Sequence, residues 1–428
     1  NLMKYDIKLS VIRPDITGLK FSIDSPRTCS YFKSNCSAIH LSGWLLYKGC
    51  QNNIYIVKNG EKLILDYNTP RLDVVRHFNG NVSDTMCGFS YAITSLESFS
   101  IGTTINNVDY VIARVDITPP QKVLFGHNGY LFLDHDTNQS KEQFIGIKKI
   151  TNDDISVWKN YLDFIRKYMN DQRIEYVFCL APAKENVLSS YYPFKKSPET
   201  PVEQLLSICT DIVYPLDILR DIGDSSYSKV DTHWSDFAAL QVAKYIDNIL
   251  NKNNTVLDNS IFPFYIKRSY GDLGIKTTPP ISQDILKADF SGIDNYIVYD
   301  NGVNNRGWVR VFENNRKIDD SVVVFFGDSY SINMLPYFVN KYKRVIHVFS
   351  GASVDLDVVA HEKPSKIIIQ VASRFIVKPP KNNFCFTSEI VRKIYKKKIN
   401  NFEYNSCPSL LFYHEKMSKL YNTESAPS

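Results

Sequence analysis

Two consecutive prolines in Asp116-Ile-Thr-Pro-Pro120 split this chain into two textures, and that split limits the fold more than any other feature. Proline has no N–H to give to a helix or a ladder, so neither kind of element continues through the pair. Before it, short apolar runs recur: Trp44-Leu-Leu-Tyr47, Ile54-Tyr-Ile-Val57, Lys62-Leu-Ile-Leu65, Phe89-Ser-Tyr-Ala-Ile93 and Tyr110-Val-Ile-Ala-Arg-Val115. Lys58-Asn-Gly60, Asn79-Gly80 and Gly102-Thr103 supply turns between them. Strand-length runs at this spacing predict a β-sandwich over residues 1–116. Within it Arg71, Asp73, Arg76, His77 and Phe78 read as a polar-aromatic loop, open to sugar or simply closing the sandwich.

After the prolines, strands and helices alternate. Over residues 153–168, Ile155, Trp158, Tyr161, Leu162 and Ile165 fall near one stripe, the 3.6-residue period of a helix. Asp236–Leu250 repeats the pattern, with Ala239, Val242, Ala243, Ile246 and Ile249 toward the core and Ser235 or Asp236 as cap. Residues 174–180, 322–326, 344–349 and 366–371 read as buried strands, and 332–340 as a helix despite Pro336. The alternation predicts an α/β domain over 117–380, a mainly parallel sheet covered on both faces. Residues 381–428 are a basic C-terminal extension; its run 391–398 is either a solvated helix or a docking segment.

Composition narrows the function classes. Among 428 residues, 44% are hydrophobic and 22% charged, with a net charge of +5. That balance is globular, and it lacks the dense basic stripe of a nucleic-acid binder. Eight cysteines at 29, 36, 50, 87, 179, 209, 385 and 407 form no Cys-x-x-Cys pair and no zinc-spaced cluster, so no metal is expected. Scattered thiols fit a reducing compartment. The longest apolar runs fall far short of the roughly 20 residues a membrane span needs. The expected location is therefore the cytoplasm, with inner-membrane or biosynthetic-complex contact left open; a removed signal peptide would make it periplasmic.

Chemistry concentrates in two motifs. Phe325-Phe-Gly-Asp-Ser-Tyr330 ends a buried strand, turns on a glycine and places Ser329 where α/β sheets bind ligands. Lys229-Val-Asp-Thr-His-Trp234 sets Asp231 and His233 two positions apart, on one face of an extended segment. A carboxylate beside an imidazole orients it as a base for a serine hydroxyl. Trp234 either packs behind His233 or touches substrate. Lys184 either binds a substrate anion or is a surface lysine at a strand end. Asp272 either braces the site or closes a turn.

Together these motifs resemble the SGNH-hydrolase-like domain of the alginate O-acetyltransferase group and related polysaccharide acetyltransferases. The resemblance runs from about residue 120 to 378, in ordered pieces. They are Gly126-His-Asn-Gly-Tyr-Leu-Phe-Leu133, Leu180-Ala-Pro-Ala-Lys-Glu-Asn-Val187 with Tyr192-Pro193, Asp231-Thr-His-Trp234, Tyr270-Gly-Asp-Leu-Gly274, Gly327-Asp-Ser-Tyr330, and Gln370-Val-Ala-Ser-Arg-Phe375. The acid–base motif precedes the serine, the reverse of secreted SGNH esterases. The resemblance implies a flavodoxin-like, mainly parallel sheet with permuted motif order, and a Ser329–His233–Asp231 triad. It further implies acetyl transfer to a bacterial surface polysaccharide (capsule, lipopolysaccharide or exopolysaccharide), with acetyl-CoA as donor for a cytoplasmic enzyme. The same triad would serve a carbohydrate esterase, and the same frame a non-catalytic glycan-binding protein. Gly351 and Asn333 are the candidates to complete an oxyanion hole. Gln370 and Ser373 stand where the family pattern leads one to expect acids, which leaves open the role of Arg374, a candidate oxyanion or substrate residue.

Overall fold

The computed structural model describes residues 3–33, 38–47, 52–79, 84–94, 96–118, 122–252, 262–394 and 410–422. The chain forms two compact units, Asn1–Gln121 and Lys122–Ser428. The last strand of the first unit reaches Thr118, two residues past the expected limit, and Pro119 and Pro120 lie outside the described residues.

In the first unit every strand pairing is antiparallel. One sheet orders Cys29–Lys33, Met3–Val11, Val108–Thr118, Phe99–Ile105, Asn52–Lys58 and Glu61–Leu65. A second contains Leu19–Ser25, Ile39–Tyr47 and Gly88–Ile93. Alternation sorts the side chains: along Ile39–Tyr47, Ile39, Leu41 and Leu45 are buried. They share one core with Phe21 and Phe89 of their own sheet and Ile54, Ile101 and Val115 of the other. Each such side chain stabilises by about 1.5–3 kcal/mol when fully buried.

The stretch expected as a loop, open to sugar or closing the sandwich, is instead the helix Leu72–His77. Val74 and Val75 give it an apolar side, which packs with Cys87 against Trp44, Leu46 and Phe78. Arg71 pairs with Asp24 and Asp73, each at 2.8 Å.

The second unit is α/β. Its main sheet orders Glu175–Ala181, Lys366–Ala372, Asp319–Gly327, Tyr342–Phe349, Val309–Glu313 and Ile297–Asp300. The first four strands are parallel, Val309–Glu313 runs antiparallel to them, and Ile297–Asp300 runs antiparallel to Val309–Glu313 in turn. Val324, Phe326, Ile367 and Ile369 pack with Trp158, Tyr161 and Ile165 of the helix Asn152–Asp171 on one face. Val323, Phe325 and Ile368 pack with Val242 and Ile246 of Asp236–Leu250 on the other. Strands that feed two cores at once read as unbroken apolar runs.

Ser235 caps Asp236–Leu250, accepting the Ala238 N–H at 3.1 Å. Ile249 is 38% exposed rather than buried; the stripe closes through Leu250. The segment expected as one helix over 332–340 follows a 3₁₀ turn, Ser329–Ser331, and is helical only over Leu335–Lys341. Pro336 sits in that helix's first turn, where its missing N–H has no intrahelical acceptor to lose.

Near the C-terminus, Phe386–Ile394 and Leu411–Asn422 are helices. Phe386, Ile390, Tyr413 and Met417 are buried in the same core as Trp158. The side chains of the basic run 391–398 lie outside the described residues. Cys29, Cys87, Cys179, Cys209 and Cys385 are free thiols; Cys36, Cys50 and Cys407 lie outside the described residues. Among the described residues no helix is long and apolar enough to cross a membrane.

Candidate active site

The strand Asp319–Gly327 delivers Ser329 to the carboxyl end of the parallel sheet. Gly327 is required there: a Cβ would lie 2.4 Å from the Ser331 Cβ. Asp328 then fixes the turn. Its Oδ1 accepts the Tyr330 N–H at 3.0 Å, and its Oδ2 accepts the Ala372 N–H at 2.6 Å, which ties the turn to the neighbouring strand. The Asp328 N–H donates to Gln370 Oε1 at 3.0 Å. An amide at 370 thus supplies an acceptor without setting a second carboxylate beside Asp328, and its Nε2 is left buried without a partner.

Beneath the turn, Ser331 Oγ donates to the Asp328 carbonyl at 2.6 Å and meets His347 Nε2 at 2.8 Å. A hydroxyl proton committed to the carbonyl makes His347 Nε2 the donor, so Nδ1 accepts from Arg310 Nη2 at 3.4 Å. Burial, then the Arg310 charge, push the His347 pKa well below 6.5, which keeps that ring neutral.

Asp231 and His233 meet Ser329 from a loop. His233 Nε2 lies 2.9 Å from Ser329 Oγ, and Nδ1 lies 2.7 Å from Asp231 Oδ1. The loop is not the extended segment expected from the sequence: Asp231 Oδ1 also accepts the His233 backbone N–H at 2.8 Å, closing a turn. An ionised Asp231 requires the ring proton on Nδ1 and leaves Nε2 free to accept from the serine. Burial raises the Asp231 carboxyl, but the His233 hydrogen bond and charge outweigh it and hold the pKa at about 2. Burial lowers the His233 pKa, but Asp231 and then Asp272 outweigh it, and the net shift is upward from 6.5.

Remote residues hold this loop by its backbone. Lys184 is not a surface lysine: it is 2% exposed, and its ammonium donates to three carbonyls. These are Leu131 at 2.7 Å, Lys229 at 3.1 Å and Asp231 at 3.1 Å. Burial lowers its pKa to about 7 against the pull of Asp231 and Asp272. Tyr330 donates its hydroxyl to the Thr232 carbonyl at 2.6 Å. Asp272 accepts the Thr232 N–H at 2.7 Å and also its hydroxyl, and places Oδ2 3.8 Å from His233 Nδ1. Leu273 and Gly274 donate to the Val230 carbonyl at 3.0 and 3.1 Å. Gly271 permits that approach: its φ is +59°, and a Cβ would lie 2.2 Å from the same carbonyl oxygen.

The remaining candidates take other roles. Trp234 packs behind the site, 2% exposed, donating to the Tyr330 carbonyl at 3.0 Å and to Asn333 Oδ1 at 2.9 Å. The Asn333 amide donates to the Trp234 carbonyl and to Asp236, so both its protons are committed. The Gly351 N–H donates to the Gly327 carbonyl at 3.0 Å. Neither expected oxyanion donor is therefore free. The Ser329 N–H meets no protein acceptor among the described residues. Arg374 stacks 4.7 Å from the Phe375 ring centroid and lines a small recess with Glu185, Ser373, Thr232 and Tyr330. Burial raises the Glu185 pKa to about 7.

Ser329 and His233 open onto a cleft of about 660 Å³, the size of a small-ligand site. Asp231, His233 and Asp272 also bring metal-competent atoms within 4.8 Å of one another, as do Asp355, Asp357 and Cys385. At the first group, a metal on Nδ1 would displace the Asp231 bond. The second already holds the ammonium of Lys416 against Asp357 and Cys385.

No family model matches the chain, and no curated protein does. Solved structures similar to it include PatB1 of Bacillus cereus, at 12% identity and a TM-score of 0.44, over 60% of this chain and 97% of that one. The O-acetyltransferase domain of Pseudomonas putida AlgJ matches at 13% identity and a TM-score of 0.38, over 64% and 99%. A DHHW family protein from Eubacterium siraeum matches at 11% and 0.38, over 65% and 92%.

Proposed function

We propose that this protein is a serine-dependent O-acetyltransferase with an SGNH-type catalytic unit, modifying hydroxyls of a bacterial surface polysaccharide. The observation that carries this reading is the unbroken chain Asp231–His233–Ser329, at 2.7 and 2.9 Å, opening onto a cleft. In the first half-reaction Ser329 Oγ attacks the acetyl carbonyl while its proton passes to His233 Nε2. The tetrahedral oxyanion gathers on the Ser329 N–H, and collapse expels the donor's leaving group, which takes the proton from His233. In the second, a sugar hydroxyl attacks the acetyl-serine and gives its proton to His233; collapse breaks the Ser329 Oγ–acyl bond, Oγ takes that proton back, and the sugar leaves as its acetyl ester. Asp231 stays ionised throughout and stabilises the imidazolium.

Acetyl-CoA is the donor for a cytoplasmic enzyme; in the periplasm a membrane partner would supply the acetyl group. The β-rich first unit is assigned to holding polymer. Incubation with an aryl acetate and a glycan tests the reaction. Wild type should place acetyl on sugar, and Ser329→Ala should lose at least about 10³-fold of that rate. Transfer that survives the substitution would end the serine mechanism. Acetate released without any acetylated sugar would make the protein a carbohydrate esterase with the same triad.

A further inference from the structure

Most polar side chains that line the cleft beside Ser329 are already matched within the protein. The Tyr227 hydroxyl donates to the Pro182 carbonyl and the Ser235 hydroxyl to the Ser225 carbonyl, each at 2.6 Å. Trp234, Asn333, Asp236 and Lys287 form one bonded run. Two groups that meet at residue 229 are different. Gln283 opens the strand Gln283–Ala288 along the cleft, and its Oε1 accepts the Lys229 N–H at 2.7 Å. A backbone N–H can only donate, so the atom facing it is the oxygen, and the orientation of the amide is settled. Nε2 therefore points away from Lys229. It carries two protons, has no acceptor among the described residues, and is not enclosed. Ser228 is joined to Lys229 by the same peptide that Gln283 holds. It lines the cleft and is half-buried, and its Oγ is enclosed with no hydrogen-bond partner. A hydroxyl in that state gains from any ligand that gives it one. Both groups are neutral, and a few such convergent groups are what orient a ligand in a cleft.

We propose that Gln283 Nε2 and Ser228 Oγ form the acceptor subsite, holding two neighbouring hydroxyls of a neutral sugar ring. The proposal rests on the acyl-transfer reading above. The amide N–H donates to one sugar oxygen. The serine, turned about its Cα–Cβ bond to another staggered rotamer, gives or takes a proton with the next. The acceptor needs such a hold more than the donor does. A donor has one acetyl carbonyl to offer Ser329, whereas a sugar has several hydroxyls and must bring a chosen one to His233 Nε2. Ser228 adjoins the loop that carries His233, and Gln283 is bonded to that loop. Sugar and base are thus referenced to one stretch of backbone.

The test separates the two half-reactions, with nitrophenyl acetate as donor and short β-1,4-linked oligomers of glucose or of mannose as acceptor. The nitrophenolate burst without glycan measures acetyl-serine formation. Acetylated sugar, counted by mass spectrometry over a range of glycan concentrations, gives the acceptor KM. Both are read on the high-pH plateau, where His233 is already neutral, so that a charge added nearby does not act through the base. Gln283→Glu keeps an oxygen for the Lys229 N–H but loses both donors. It should raise the acceptor KM about three- to tenfold, and several times more than it slows the burst. Ser228→Ala should raise the acceptor KM about threefold without lowering the melting temperature, because the hydroxyl it removes has no bond to lose. It carries the test alone should Gln283→Glu fail to fold. An acceptor KM within about twofold of wild type in the folded variants overturns the proposal while leaving the acetyl-serine standing. A loss that falls equally on the burst does the same, and so does a wild type that consumes the ester yet acetylates neither oligomer. An ester that is not consumed at all overturns the acyl-transfer reading itself.

Discussion

The nucleophile turn and the acid–base loop lie within hydrogen-bonding distance, yet they are built on opposite plans. The turn over residues 327–331 follows directly on its strand and is closed from within by Asp328, whose carboxylate spans two residues to the Tyr330 N–H. Gln370 and Ala372 of the neighbouring strand hold it from outside. The loop over residues 229–234 is irregular, and partners 40 to 98 residues away hold its backbone: Asp272, Lys184 and Tyr330. The first plan leaves its signature in adjacent letters. The second disperses it, so damage to a distant residue should reach His233 more readily than damage near Ser329 reaches the serine.

Substitution tests that contrast directly. Asp231→Asn should cost most, about 10³–10⁴-fold in kcat/KM, because an amide neither fixes the Nδ1–H tautomer nor stabilises the imidazolium. Its pH–rate profile should also move to lower pH, since Asp231 is the main group that raises the His233 pKa. In the wild type the rate should rise with pH through an inflection above 6.5, as His233 loses its proton.

Stability should show the matching signs. The His233 pKa is raised, so its contribution is full below 6.5 and is lost as pH rises through the raised value. The Asp231 pKa is lowered, so its contribution is full above 3.8 and is lost as pH falls toward about 2. Thermal melts across pH check both limbs.

Lys184→Met comes next. It preserves bulk but strips a donor from three carbonyls, and should lower stability by about 1–3 kcal/mol and kcat/KM by about 10–100-fold. Asp272→Asn should cost about tenfold and lower the His233 inflection, because it removes the second carboxylate facing Nδ1. Ser331→Ala should be mildest, with about 0.5–1.5 kcal/mol of stability lost and less than tenfold in rate. If Ser331→Ala slowed transfer more than Lys184→Met did, the contrast between turn and loop would fail.

The same contrast explains what the sequence disclosed. Alternating strands and 3.6-period helices were legible because binary patterning is local; Trp158, Tyr161 and Val242 are buried where the period places them. Ser329, His233 and Asp231 were legible as two short motifs. Bracing by Asp272 was one of two readings open in the sequence; Lys184 and Tyr330 were not assigned their places, because a side chain that caps a remote carbonyl leaves no periodic trace. The oxyanion candidates, Gly351 and Asn333, show a related limit. Residue type shows that a donor exists, and only the fold shows that Gly327, Trp234 and Asp236 have already claimed it.

One consequence concerns self-damage. Burial lowers the Lys184 pKa to about 7, which brings it closer to the free-amine form, and free amines are the groups that activated acetyl donors modify. In the proposed reaction, Lys184, bonded to the Asp231 carbonyl, would work on the same loop as a reagent able to acylate it and release the loop it secures. The enclosure that lowers its basicity also withholds it, with 2% of its surface in reach of solvent. Opening the recess beside Thr232 would cost the protein more than rigidity: each turnover would then risk converting its central clamp to an amide.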